Sequence, residues 1–272
     1  MIVEKYSRNA RIALITKKLI ENPSRILSLS YFADALNAAK STISEDLLIV
    51  REAMEASGEG RVETIPGAAG GVRFHVRTAE AVKSQFAVEI LEHFSDNTRI
   101  VPGNFLYVTD LMQNPRIVAK AGAILAEYFY DYKPDYIITV ETKGIPLAYE
   151  VAKCLGIQLI VARRNTKITE GTSVMINYLT GSQGLLSVMS LSKRSIRPGS
   201  KLIFIDDFLR GGGTVRGIID LLHEFSCELI GIGVMVDNKD IEKSLPVPMF
   251  NFCDYHGIDN AGNILIKIHN IS

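Results

Sequence analysis

The stretch from Leu202 to Thr214, LIFIDDFLRGGGT, constrains this chain more than any other. An apolar strand runs into two adjacent acids, three consecutive glycines follow, and a helical pattern opens at Thr214. Glycines let the backbone turn sharply and bring several N–H groups onto one anion, and the helix N-terminus adds a favourable dipole. Gly211, Gly212, Gly213 and Thr214 therefore describe a seat for a phosphate monoester. Asp206 and Asp207 cannot ligate a phosphate. As acceptors they suit a vicinal diol such as the ribose 2′- and 3′-hydroxyls. Phosphate and diol together describe a ribose 5-phosphate moiety. The segment is neither a Walker A loop, which needs GK[ST], nor a dinucleotide GxGxxG.

The surrounding pattern is α/β. From about Pro102 onward strands and helices alternate. A helix is predicted over Pro115 to Tyr130, a nearly all-apolar strand over Tyr136 to Val140, and a helix over Pro146 to Leu155 closed by Gly156. Strands follow over Ile157 to Ala162, Lys201 to Ile205 and Leu229 to Val236, with a helix over Thr214 to Glu224. Such alternation implies a parallel sheet. Residues 163 to 195 are polar, with Gly, Ser and Thr, and read as an excursion from the sheet.

The first 77 residues follow another pattern. Ile12, Ile15 and Leu19 share one helix face, and Asn22-Pro23 ends that helix. Ser30 is the expected N-cap of a short helix carrying Phe32 and Leu36. Lys40-Ser41-Thr42 opens a third helix whose apolar face is Ile43, Leu47, Val50 and Met54, stopped by Gly58 and Gly60. Two strands, Arg61 to Ile65 and Val72 to Val76, flank the turn Pro66-Gly67-Ala68-Ala69-Gly70-Gly71. Three helices and a glycine-tipped hairpin describe a winged helix-turn-helix. Residues 78 to 98 read as one helical connector.

The exposed face of the third helix carries Ser41, Thr42, Ser44, Glu45 and Arg51, with Lys40 at its start. Short hydroxyls and a lysine at a helix N-terminus suit phosphate and base-edge contacts in a major groove. An ordinary capped surface helix carries the same pattern. Lys5, Arg8, Arg11, Lys17, Lys18 and Arg25 stand against Glu4 and Glu21, so positive charge gathers locally although Lys+Arg and Asp+Glu balance at 30 each. The wing residues Gly67, Gly70, Gly71 and Arg73 can reach a phosphate or a minor groove, or the glycines serve only the turn.

The segment Asp206 to Thr214 resembles the phosphoribosyl pyrophosphate (PRPP) motif of type I phosphoribosyltransferases. Val140 to Pro146, with Thr142-Lys143-Gly144, looks like that family's pyrophosphate loop, where backbone N–H groups turn toward the diphosphate and Lys143 adds charge. Arg163 to Lys193 takes the place of the hood over the site. With the winged helix added, the whole chain resembles the purine operon repressor family of Gram-positive bacteria. That resemblance is carried by Ala39 to Leu47, Val62 to Phe74, Thr142 to Ala148, Lys167 to Tyr178 and the PRPP motif.

The resemblance implies a winged-helix DNA-binding domain over 1–77 and a type I phosphoribosyltransferase fold over 78–272. It implies a transcriptional regulator of purine biosynthesis genes, a repressor by family, that binds double-stranded operator DNA and senses PRPP without catalysis. A purine nucleotide is an expected competitor at the same site. Within the PRPP motif, Phe208 and Arg210 are then ligand contacts, and Phe208 lies against the base plane. Phe105 and Tyr107 are candidates for its other face, or are buried core aromatics. Hypoxanthine-type transferases carry an Asp where this chain has Arg210, and adenine-type enzymes carry a hood glutamate. Ser173 to Tyr178 has no carboxylate, and Glu170 is the nearest acid. Losing general acid–base help of about 10²–10⁴ in rate argues against efficient transfer. Xanthine-type enzymes also lack that Asp, so a purine phosphoribosyltransferase of xanthine or adenine type with an accessory N-terminal domain is the alternative.

Composition excludes other classes. Cys154, Cys227 and Cys253 are too scattered for a zinc site or a disulfide framework, and the five histidines lack metal-ligand spacing. No metal centre and no obligatory cofactor are expected, with PRPP, bare or with Mg2+, as effector. No apolar run approaches the roughly 20 residues of a membrane span, and the N-terminus lacks the apolar core of a secretory signal. The expectation is a cytoplasmic homodimer without membrane association.

Overall fold

The computed structural model describes residues 6–67, 69–103, 105–164, 171–180, 185–239 and 244–269. Glu4, Lys5, Ala68, Lys167 and Glu170, named above, lie outside these ranges, as do parts of the 163–193 segment. The chain divides into two compact units, Met1–Ala79 with Lys153–Gly156, and Glu80–Ala152 with Ile157–Ser272.

The first unit contains α1 (Arg8–Glu21), β1 (Ile26–Leu27), α2 (Leu29–Leu36), α3 (Lys40–Ser57), β2 (Gly60–Ile65) and β3 (Gly71–Val76). The strands form an antiparallel sheet in the order β1-β3-β2. Ile15 and Leu19 of α1, Phe32 of α2, Ile43, Leu47 and Val50 of α3, and Val62 and Phe74 of the hairpin share one core. The cap of α2 is Ser28 and not Ser30: the extended backbone of Ser28 lets its hydroxyl accept from the Tyr31 N–H at 3.1 Å. The two-residue strand β1 is too short to leave a periodic signal.

The second unit opens with α4 (Glu80–Phe94), so the expected connector helix ends four residues early, at a short 3-10 turn over Asn97–Arg99. There follow β4 (Ile100–Val101), β5 (Phe105–Leu106), α5 (Thr109–Met112), α6 (Pro115–Phe129), β6 (Tyr136–Val140), α7 (Ile145–Leu155), β7 (Gln158–Ala162), β8 (Ser173–Thr180), β9 (Leu185–Ser192), β10 (Lys201–Leu209), α8 (Gly213–His223), β11 (Glu228–Asn238), β12 (Met249–Ile258) and β13 (Ile264–Ile268). The main sheet runs β13-β12-β11-β10-β6-β7 and is parallel except for β13 at its edge.

Val215, Ile218, Leu221 and Leu222 of α8 join Ile138, Phe204 and Ile232 in the core on one face of this sheet. Phe129 of α6 packs close over Gly231 and Gly233 on the other. Within the excursion at 163–195, β8 pairs antiparallel with β9. Its Tyr178 ring lies against Gly217 of α8.

One difference shapes the site. β10 does not end before the acids but runs through them to Leu209, with Asp206 beside Val234 and Phe208 beside Val236 of β11. Continued pairing with β11 carries the strand past the point where the apolar run stops.

Candidate functional site

The carboxyl ends of β6 and β10 splay apart. Their register is Leu202 with Tyr136 through Phe204 with Ile138, and between the strands beyond it opens a cleft of about 620 Å³. From β10 and the turn after it come Asp206, Asp207, Phe208, Arg210 and Thr214; from the loop after β6 come Glu141, Thr142 and Lys143. Arg164 closes one side, and Phe105, Leu106 and Val108 another. Thr142, Lys143, Asp206, Asp207, Phe208, Phe105, Arg210 and Thr214 are thus brought together as the sequence predicts.

The glycines act through backbone. Gly212 has φ +75° and caps α8, a conformation that side chains disfavour. Gly211 and Gly213 complete the turn between Arg210 and Thr214. Gly144 is buried beneath the cleft. A Cβ there would lie 2.4 Å from Asp206 Oδ1, 2.8 Å from Thr139 Oγ1 and 2.9 Å from Asp206 Cα. The Glu141–Thr142 peptide in the same loop is cis.

The two acids are unequal. Asp206 Oδ1 accepts the Asp207 N–H at 2.9 Å. Burial pushes the Asp206 carboxyl well above the usual carboxylate range, the Asp207 charge adds to this, and Arg164 opposes it. Asp206 therefore holds its proton more tightly than an exposed acid does.

Two aromatic expectations need correction. Tyr107 does not line the cleft; it is 46% exposed and its carbonyl accepts from Arg99 Nη1 at 2.9 Å. Phe105 does line it, but the Arg210 guanidinium already lies 3.9 Å from its ring centroid, a cation–π stack. Phe208 is half-buried against Tyr255, edge-on with centroids 6.0 Å apart. Sequence reasoning missed Arg164 and Glu141. Glu141 Oε1 accepts the Arg164 N–H at 2.7 Å, which ties the loop after β6 to the end of β7. The pair Arg163-Arg164 at the end of a predicted strand was the available signal.

In the first unit a second cleft, of about 390 Å³, lies between α3 and the wing, with Lys40, Ser44 and Arg51 on one side and Gly67, Gly70 and Gly71 on the other. Lys40, Ser41 and Ser44 are exposed and Thr42 is half-buried. Ala39 caps α3 without a side-chain bond, so the leading N–H groups are left for solvent or an anion. Arg51 is not free on this face: it donates to the Val62 carbonyl at 3.1 Å and to Thr64, pinning the wing to α3.

Three other DNA-contact expectations change. Arg11 is buried, with Nε 2.7 Å from Asp46 Oδ2 and Nη1 donating to the Tyr6 carbonyl. It anchors α1 to α3 because Asp46, 1% exposed, needs a partner. Arg73 is held by Glu63 at 2.9 Å, an acid it shares with His75. Gly70 is required by the turn, where a Cβ would meet the Ile65 carbonyl at 2.3 Å, and Gly71 by the close approach of β1, where a Cβ would meet the Leu27 carbonyl at 2.2 Å. Arg8 remains exposed, 3.6 Å from Asp46, whereas Lys17 and Lys18 face Glu21.

Comparison with known proteins agrees with both halves. Residues 7–76 match the family model of the bacterial purine repressor N-terminal domain, and residues 108–248 match the phosphoribosyl transferase domain. The chain is 41% identical over 268 residues to a probable purine biosynthesis transcriptional regulator PurR of Streptococcus pneumoniae, covering 97% of this chain and 94% of that one. It is 39% identical to the purine biosynthesis transcriptional repressor PurR of Bacillus subtilis (89% and 85% covered) and 38% identical to the activator PurR of Lactococcus lactis (85% and 85%). An adenine phosphoribosyltransferase from Saccharomyces cerevisiae superposes with TM-score 0.54 at 22% identity, covering 62% of this chain and 98% of that one, which establishes the fold of the second unit. With a DNA-binding first unit and a transferase-fold second unit matched to the same relatives, the chain belongs to the PurR family of purine biosynthesis transcriptional regulators.

Proposed function

We propose that this regulator senses PRPP in the cleft of the second unit, that a purine nucleotide competes there, and that occupancy alters operator binding by the first unit. The observation that carries the reading is the joining, in one cleft, of the Asp206–Asp207 pair, the glycine turn leading into α8, and the cations Lys143, Arg164 and Arg210. Acceptors for a sugar diol, backbone donors for its 5-phosphate and positive charge for an anomeric diphosphate are the complement of PRPP. Where Mg2+ accompanies the diphosphate, it enters with the ligand. Among the described residues no group of three or more acids, histidines or cysteines could hold a metal alone, so the ion would be held through the ligand.

The chain is a regulator and not a transferase, as its relatives are named. Arg210 fits this role. Where a proton-handling carboxylate would stand, it presents a fixed cation stacked on Phe105. On the operator, Lys40, Ser41, Ser44 and Arg8 are the proposed DNA contacts, the protein acting as a cytoplasmic homodimer.

The test is direct. Calorimetric titration of the full-length chain with PRPP and Mg2+ should show saturable binding that a purine nucleotide displaces. A gel shift with DNA from upstream of a purine gene should move on adding PRPP. DNA binding that ignores PRPP at concentrations that fill the cleft would overturn the proposal.

A further inference from the structure

α3 buries Ile43, Asp46, Leu47 and Val50 against the core of the first unit. Lys40, Ser44, Leu48 and Arg51 are spaced i, i+4, i+8 and i+11, so a helix of 3.6 residues per turn gathers them on one stripe. All four line the cleft of about 390 Å³ between α3 and the wing. The stripe thus holds two cations, a hydroxyl and no acid, whereas the exposed Glu45 and Glu52 do not line the cleft. Leu48 is its odd member. It is 51% exposed and is the one large apolar side chain so exposed among the described residues of α3. A single exposed leucine is ordinary on a protein surface. This one stands within the polar stripe, a turn after Ser44 and beside Arg51, whose bonds to the Val62 carbonyl and to Thr64 tie the wing strand β2 to α3. We infer that Leu48 is a specificity-determining residue for operator DNA, reading the C5 methyl of a thymine in the major groove.

This rests on reading α3 as the operator-facing helix. On such a helix, cations and hydroxyls meet phosphates and polar base edges, and those contacts fix position as much as sequence. An apolar side chain has one counterpart among the major-groove edges, the thymine methyl. At the same place cytosine presents an N4 donor, guanine two acceptors, and adenine an acceptor and a donor. A leucine laid over any of these takes water from a polar group and returns no hydrogen bond, which costs free energy. Leu48 therefore rewards thymine and penalises the other three bases. Its neighbours on the stripe cannot make that distinction: Lys40 offers only donors, and the Ser44 hydroxyl, donor and acceptor at once, suits any base.

The test couples the side chain to the base. Affinity of the full-length protein is measured by fluorescence anisotropy on DNA from upstream of a purine gene, with each thymine replaced in turn by uracil, which removes the methyl and nothing else. At the contacted thymine, uracil should weaken wild-type binding about fourfold, the worth of one buried methyl. Leu48→Ala should weaken binding to the unmodified DNA about five- to tenfold and respond less than about twofold to uracil at that position. Leu48→Met, similar in volume and reach, should keep the response to uracil. Lys40→Ala and Ser44→Ala report on α3 itself. If both bind like wild type, α3 is not the operator-facing helix, and the inference falls with that reading. If they weaken binding but no uracil position is coupled to Leu48, the inference alone is overturned. Leu48→Ala that loses affinity while keeping the full response to uracil assigns Leu48 to packing or to a protein contact and overturns it equally.

Discussion

Gly144→Ala tests the cleft with one added methyl. Gly144 does not have the positive φ that alanine avoids, so the perturbation is one of space. The new Cβ would sit 2.4 Å from Asp206 Oδ1 and 2.8 Å from Thr139 Oγ1, atoms that can rotate, but also 2.9 Å from Asp206 Cα, which cannot. Either the 141–144 loop lifts or β10 gives way at the acid pair. Overpacking of this kind costs about 1–3 kcal/mol. If the free protein bears the strain, melting of the second unit should fall by about 2–12 °C. If the loop lifts instead, the diphosphate seat moves away from Asp206, and PRPP affinity should fall about 5- to 150-fold. Calorimetry with PRPP and a thermal melt read the two together, and fluorescence anisotropy without effector should report unchanged DNA affinity. A variant with wild-type melting and wild-type PRPP affinity would show that the loop and the acids are not packed as described, and would refute the reasoning.

Asp206→Ala with Asp207→Ala should weaken PRPP at least tenfold, from lost bonds of about 1.5–3 kcal/mol each before coupling, and should abolish the PRPP response while effector-free DNA binding persists; a retained response sinks the assignment. Arg11→Ala leaves Asp46 buried without its closest partner and should cost the first unit about 3–5 kcal/mol, ending DNA binding through unfolding. Lys40→Ala should melt like wild type, yet weaken DNA binding and lower its salt slope by about 1. A folded but DNA-inactive Arg11→Ala beside a neutral Lys40→Ala would reverse both roles. Because Asp206 has a folded pKa above its unfolded value, the native state binds the extra proton, and stability is lost as pH rises through the folded pKa. Asp206→Asn should therefore melt above wild type at and above neutral pH, with the gap closing in acid; an equal or lower melting point throughout would contradict this.

Much of the architecture was legible because two periodicities are strong here. The i, i+3, i+7 face of α1, the i, i+4, i+7, i+11 face of α3 and the all-apolar strand at Tyr136–Val140 dictate their elements with little help from tertiary structure. β8 and its partner β9 were not legible: in β8 the half-buried Val174 and Ile176 and the buried Tyr178 alternate with exposed Met175 and Leu179, so polarity does not follow the pleat. β12 and β13 went unread for a similar reason. Within the cleft, the motif residues could be named from spacing alone, because glycines and adjacent acids have few other uses. Arg164 could not, since it matters only through what the fold sets beside it. Charge misled most. Arg11 and Arg73 looked like free cations, and only their distances to Asp46 and Glu63 show that they hold the first unit together.

The exchange of a carboxylate for Arg210 has a consequence for how such a fold serves regulation. A catalyst gains only from interactions stronger in the transition state than in the ground state. A sensor gains from any interaction that distinguishes the filled protein from the empty one. Arg210 is stacked on Phe105 of the β4–β5 hairpin, Lys143 sits on the loop after β6, and Arg164 follows β7, so the three cations belong to separate segments of the second unit. An anion held by all three would bridge those segments. The β4–β5 hairpin is in turn tied to α4, because Arg99 pairs with Asp110 at 2.7 Å and donates to the His93 carbonyl, also at 2.7 Å. His93 lies in the last turn of α4, the helix that begins at Glu80, directly after the first unit ends. On the proposed reading, a ligand in the cleft would touch segments joined by side-chain contacts to α4, and a coupling of effector to operator needs a differential contact of that kind.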